Sequence, residues 1–222
     1  MPKFDTPAAV TARVDVPAGV IRFIAADRAD TVVEVLPASP AKSRDAKAAE
    51  RIEVAFADGV LDIRAAKEAR GRFLGDSGSV EITVQLPAGS HVEGKAAAAE
   101  LRGVGRLGDV VFAGGHRSVK LDEAASVRID GHDAAVTVGR LTGPGEISTQ
   151  RGDVTVSEAT RGALALTTVR GDITVNAARG VPASLDAGTV VGRVDNALKN
   201  DGAPVLTIKA TTTQGDITAR SL

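Results

Sequence analysis

A tripeptide of the form x-Gly-Asp, followed by a short β-branched run, recurs through the last third of this 222-residue chain. Arg151-Gly152-Asp153-Val154-Thr155-Val156 is succeeded by Arg170-Gly171-Asp172-Ile173-Thr174-Val175 and by Gln214-Gly215-Asp216-Ile217-Thr218. A degenerate copy, Val191-Gly192-Arg193-Val194, fills the remaining gap, so the glycines stand 19, 21 and 23 residues apart. A β unit of about 20 residues cannot bury its own apolar face and must stack on its neighbours. The expected fold is all-β: a parallel β-solenoid of short strands in roughly 20-residue coils, spanning residues 88–222. An N-terminal β module, residues 1–87, caps it, and the two are expected to form one continuous body.

Two interleaved series share the period. One is the strand after each Gly-Asp; the other passes through Val127, Ile147, Leu166, Leu185 and Leu206. Two series imply two sheet faces per coil. Stacking at the ordinary strand spacing of about 4.8 Å then makes columns, with Gly108, Gly131, Gly152, Gly171, Gly192 and Gly215 at a corner. Glycine suits that corner because it takes positive φ without a Cβ clash. The next column holds Asp109, then His132 or Asp133, then Asp153, Asp172, Arg193 and Asp216. Stacked carboxylates repel, and they can splay into water, cap turn N–H groups or share a cation. Capping is expected, with Arg193 offsetting charge between Asp172 and Asp216. The ligand density of Ca²⁺ repeats is missing.

Upstream, residues 8–36 alternate apolar and polar positions around a Pro17-Ala18-Gly19 turn, which reads as strands. Residues 37–50 break the pattern with two prolines and an Ala-rich charged run, predicting a short helix that Ser43 could cap. Asp58-Gly59 between two alternating runs predicts a hairpin. Arg64 to Ser79, with Gly71, Gly75 and Gly78 among charges, reads as a mobile loop, and Val80 to Leu86 as a closing strand.

Composition narrows the function classes. Net charge is −1 with both signs interspersed, which argues against nucleic-acid and anionic-membrane partners. Without cysteine there is no disulfide, thiolate nucleophile or Cys-based metal site. No apolar run is long enough to span a bilayer, and Met1 to Pro7 shows no leader pattern, so the expected address is the cytoplasm. There is no Trp or Tyr, and no Phe beyond residue 112, whereas 19 of the 24 Gly follow residue 87. A narrow core of Val, Ile, Leu and Ala suits closely spaced strands.

Several strings mislead if read alone. Arg151-Gly152-Asp153 and Arg170-Gly171-Asp172 spell the integrin-recognition tripeptide, yet Leu107, Val191 and Gln214 hold the same slot before other glycines, which marks a permissive corner. Gly103-Val104-Gly105-Arg106-Leu107-Gly108 matches the dinucleotide fingerprint, but a strand pattern follows it where a helix would have to receive the pyrophosphate. His91, His116 and His132 lack metal-site spacing. No catalytic residue, cofactor or metal ligand is expected.

Val-Glu-Val-Leu-Pro at 33–37, Val84 to Ser90, Leu107-Gly108-Asp109-Val110 and Thr212 to Thr218 together resemble the bacterial putative-adhesin family of β-strand-repeat proteins, a family of unknown function. The resemblance spans nearly the whole chain. It implies a β-solenoid with an N-terminal entry module, and adhesion in name, with no active site to carry over.

The expected function is a non-enzymatic interaction or self-assembly scaffold. The partner is a protein or a second copy, docked through the C-terminal solenoid edge, Thr207 to Leu222, which ends without a polar cap. One alternative is an adhesin at the cell surface. Another is a carbohydrate-active enzyme using the Asp153 and Asp172 column.

Overall fold

In a computed structural model, which describes residues 1–66, 78–114 and 117–222, strands form wherever apolar and polar residues alternate. Two compact units divide the chain, Met1–His116 and Arg117–Leu222. Most of the loop expected between Arg64 and Ser79, including Gly71, Phe73 and Gly75, lies outside the described residues, as do Gly115 and His116.

The first unit is built on β2 (Thr11–Ala26), which bends at Pro17-Ala18-Gly19. Its first half pairs in parallel with β5 (Val60–Ala65) and its second half with β6 (Val80–Pro87). Along its other side runs β7 (His91–Gly114), parallel from Thr11↔His91 to Ala25↔Gly105. Antiparallel strands complete both faces. β4 (Ile52–Ala57) joins β5 through the Asp58-Gly59 turn, where both residues take positive φ. β3 (Asp30–Pro37) joins β6, and β1 (Lys3–Asp5) joins β3. Inside, Phe23, Leu61, Ile63, Ile82 and Leu101 are buried, and the Phe112 ring occupies the space that Gly94 leaves by having no Cβ. Outside, Asp62, Arg13 and Glu93 form one row across three strands, and Arg64, Asp15 and Lys95 the next. Each charge therefore faces opposite neighbours, which favours this register; Arg13 and Glu93 are 2.9 Å apart.

The predicted helix is α1 (Ser43–Glu50), but Ser43 does not cap it. Lys42 holds the cap position without a side-chain bond, and the buried side chain is Asp45, whose Oδ1 accepts the Ser79 N–H at 3.0 Å. The Ser43 hydroxyl sits one residue too far into the helix for the capping role.

The second unit is the solenoid proper. It comprises β8 (Ser118–Asp133), β9 (Ala135–Leu141), β10 (Gly145–Arg151), β11 (Val154–Ala159), β12 (Gly162–Arg170), β13 (Ile173–Ala177), β14 (Ala183–Val191), β15 (Val194–Ala197), β16 (Leu206–Gln214) and β17 (Ile217–Ser221). Every pairing among them is parallel. One face runs β8, β10, β12, β16, β14; the other runs β8, β9, β11, β13, β17, β15. The coils thus do not stack in sequence order. The last coil, β16 and β17, lies between the coil of β12 and β13 and the coil of β14 and β15.

This corrects the apolar series read from the sequence. The stacked column is Ile129, Ile147, Leu166, Ala210, Ala187. Val127 aligns with Gly145, Leu185 with Ile208, and Leu206 with Gly162 and Ala183. Each misplaced residue is off by an even number of positions. Strand periodicity preserves the face under such a shift, so composition alone cannot expose it.

Candidate functional site

Four corner glycines, Gly152, Gly171, Gly215 and Gly192, stack in that spatial order with φ between +131 and +151. A Cβ on each would fall within 2.4 Å of the carbonyl oxygen one coil below, so only glycine lets the coils close up. Beside them the aspartates cap one another's coils. Asp153 Oδ1 accepts the Asp172 N–H at 2.9 Å, Asp172 Oδ1 accepts the Asp216 N–H at 2.7 Å, and Asp216 Oδ1 accepts the Arg193 N–H at 2.8 Å. Arg193 therefore does not stand between Asp172 and Asp216. It ends the series, because a guanidinium has no acceptor to offer a further coil.

A third column was not foreseen. Thr168, Thr212 and Thr189 donate their hydroxyls to the carbonyls of Gly152, Gly171 and Gly215 at 3.0–3.1 Å, and Thr149 donates to the Ala134 carbonyl at 3.2 Å. Each threonine precedes its own corner residue by three positions, as Thr149 does Gly152, and that spacing was the available signal.

The remaining predicted corner residues fall elsewhere. Gly131 lies within β8 opposite Thr149, and Ala134 continues the glycine column beneath Gly152, so Gly131 is not a corner. Neither His132 nor Asp133 joins the aspartate column. Asp133 pairs in register with Arg151, whose Nε and Nη2 each approach its carboxylate at 2.6 Å. That bidentate contact raises the guanidinium pKa further. In the first unit Gly108 sits over the Gly89 carbonyl, and the Asp109 N–H donates to His91 Nδ1 at 3.0 Å, so His91 stands in for the capping carboxylate. Gly103, Gly105 and Gly108 all lie in β7, where no helix follows. The two Arg-Gly-Asp corners present carboxylates already engaged in capping.

The arrangement with chemical consequence is the sheet edge. β14 pairs only with β16, and β15 only with β17, among the described residues. In the Val194 column, Val154, Ile173 and Ile217 are fully buried, whereas Val194 itself is 45 % exposed. Val190 and Val191 beside it are 79 % and 61 % exposed. Because Val191 C=O accepts the Gly215 N–H, Val191 turns its backbone toward β16. At the other end of β14 the Pro182 carbonyl accepts the Leu206 N–H while the Ala183 N–H turns away to the Lys199 carbonyl, and the register skips Val190, so along the strand between them Leu185 and Ala187 turn their backbone groups outward. The edge expected at Thr207 to Leu222 is thus corrected: that coil is covered on both sides, and among the described residues the outermost strands are β14 and β15.

The family model described as Toastrack DUF4097 matches residues 14–221. The chain belongs to that family. This Toastrack chain matches no curated protein. Among solved structures it is similar to a putative adhesin from Parabacteroides merdae, at 11 % identity and TM-score 0.44, covering 100 % of this chain and 93 % of that one. It is also similar to a putative adhesin from Bacteroides fragilis, at 16 % identity and TM-score 0.43, with coverage of 98 % and 95 %. A putative cell adhesion protein from Clostridium sporogenes shares 12 % identity at TM-score 0.36, with coverage of 100 % and 98 %. Likenesses at these scores bear on neither the activity nor the partner of the Toastrack chain. Among its described residues no helix is long and apolar enough to cross a membrane.

Proposed function

We propose that the protein is a non-enzymatic interaction module of the cytoplasm that docks a protein partner through the outer edge of β14 and β15. One observation carries this reading: a core-type valine, Val194, and two neighbouring valines, Val190 and Val191, lie exposed beside outward-turned backbone groups. Such an edge is a template for strand addition, in which main-chain bonds supply affinity and side-chain contacts specificity. The engagement of Asp153, Asp172 and Asp216 in capping supports a non-enzymatic role, since none is left as half of an acid–base pair.

Replacing both Val190 and Val191 by Lys charges the edge without touching the core. Affinity capture from the native cytosol should retain a partner with the parent protein and lose it with the double variant, at unchanged thermal stability. Identical captured sets would overturn the docking role. Protease shaving of intact cells should leave the protein intact; cleavage from outside would place it at the surface instead.

A further inference from the structure

We infer that the outer face of the sheet β8, β10, β12, β16, β14 is a self-association surface, on which a second copy of this chain packs about a two-fold axis running along β12. This surface is separate from the strand edge proposed above and does not depend on it. Side chains pointing away from the core form register rows across the five strands. One row reads Arg128, Glu146, Ala165, Lys209, Asp186, and all five are exposed. Its charges run plus, minus, neutral, plus, minus. A copy turned about β12 presents the same row reversed, so Arg128 meets Asp186 of the other copy and Glu146 meets its Lys209. The next row, Asp130, Ser148, Thr167, Thr211, Gly188, holds one charge, and the rotation sets Asp130 over the glycine. No like charges meet in either row, and opposed charges of opposite sign fix the register of an interface.

Two further observations favour a second copy as the occupant. Arg128 Nε lies 3.2 Å from the Glu146 carboxylate, whereas the side chains of Lys209 and Asp186, also register neighbours, bond to no described residue. Docking lays the Arg128–Glu146 pair of one copy on Lys209 and Asp186 of the other, which closes an alternating quartet of charges at each end of the contact. The face is also hollow there: Ala163, Ala165, Ser184, Asp186, Thr207 and Lys209 line an open depression. The long side chains of Arg128 and Glu146 from the other copy fill it. Between the quartets β12 lies over β12, where Ala163, Ala165, Thr167 and Val169 are exposed and each meets itself. Side chains this small let the sheets approach to the usual spacing of about 10 Å. A neutral centre inside a charged rim is the ordinary anatomy of a protein interface.

The other face of the solenoid is unsuited to the same contact. Asp153, Asp172 and Asp216 stand in adjacent coils there, so the rotation would set acid against acid. Five strands about 4.8 Å apart, sharing about seven residues of about 3.3 Å each, offer roughly 550 Å² per copy. That area is at the lower end for a specific contact. The dimer is therefore reversible, and salt weakens it by screening the quartets.

Thr167 tests the axis, because it meets its own copy and its register neighbours Ser148 and Thr211 are uncharged. Light scattering of the parent protein, over a concentration series at low salt, should give a dimer mass. Thr167→Glu and Thr167→Lys should each be monomeric alone, since either places like charges at the axis, and an equimolar mixture of the two should recover the dimer. Lys209→Glu, which sets acid against Glu146 of the other copy, should also be monomeric. A parent protein that stays monomeric throughout the series would overturn the self-association surface, as would a dimer that survives Lys209→Glu. A mixture of the two Thr167 variants that stays monomeric would overturn the two-fold along β12. None of these substitutions touches Val190, Val191 or Val194, so partner capture by the outer edge is read separately and stands or falls alone.

Discussion

Gly171 turns its corner at φ +149, and a Cβ there would lie 2.3 Å from the Gly152 carbonyl oxygen. Valine at this position must either leave that backbone region or push the coils apart. Gly171→Val should therefore lower the unfolding free energy by about 1–3 kcal/mol, whereas Arg170→Ala, at the exposed position before it, should change it by less than about 0.5 kcal/mol. Chemical denaturation distinguishes them, and equal losses would contradict the corner assignment. In the first unit Asp30 gives a pH signature. Arg28 Nε at 2.7 Å and Lys3 Nζ at 3.0 Å hold its carboxyl down to about 2, from an ordinary 3.8. A carboxyl depressed on folding contributes stability above its unfolded pKa and loses it as pH falls toward the folded value. The contribution is thus complete above about pH 4 and fades toward pH 2. Asp30→Asn should lose less stability than the parent over that interval in acid titration of unfolding; superimposable acid limbs would contradict the ion pair.

Most individual elements were legible because their signals are local. Alternation marked the strands, Asp58-Gly59 marked the β4–β5 hairpin, and the Ala-rich charged run marked α1. The repeat also revealed the solenoid, since each Gly-Asp opens a strand of the same face. Coil order was not legible from the period, because parallel coils of equal length can stack in more than one sequence. Two residues do encode it. Asn196 in an inner coil would lie between apolar neighbours with an unsatisfied amide, at a cost of about 1–3 kcal/mol. At the outer edge its Oδ1 accepts the Leu198 N–H at 3.1 Å. Arg193 cannot cap a following coil, which sends the same segment to the end of the stack. The longer gap between Gly192 and Gly215, 23 residues against 19 and 21 for the two before it, supplies the chain that returns past the edge coil. Gly131 and Asp133 were misassigned for a related reason: β8 carries a strand-embedded glycine three residues before the true corner at Ala134, and nothing local separates the two.

At the scale of the solenoid unit, coil order decides which surface is open. Stacked in sequence order, β16 and β17 would form the edge and expose Ile208 and Ile217, both buried here. Inserting that coil buries its larger apolar residues and leaves outside a coil with Ala187, Thr189 and Asn196 at inner positions. Which coil offers the proposed docking edge depends on that insertion. Engineered disulfides test it most directly. Thr167 and Thr211 are register partners on β12 and β16, with hydroxyl oxygens 3.2 Å apart. Sequence-order stacking would instead make Thr167 the neighbour of Gly188, which the inserted coil places two strands away, roughly 10 Å. Under dilute, mildly oxidising conditions Thr167→Cys with Thr211→Cys should close an intramolecular disulfide, and Thr167→Cys with Gly188→Cys should not. Closure of the second pair and not the first would contradict the coil order and, with it, the position of the open edge.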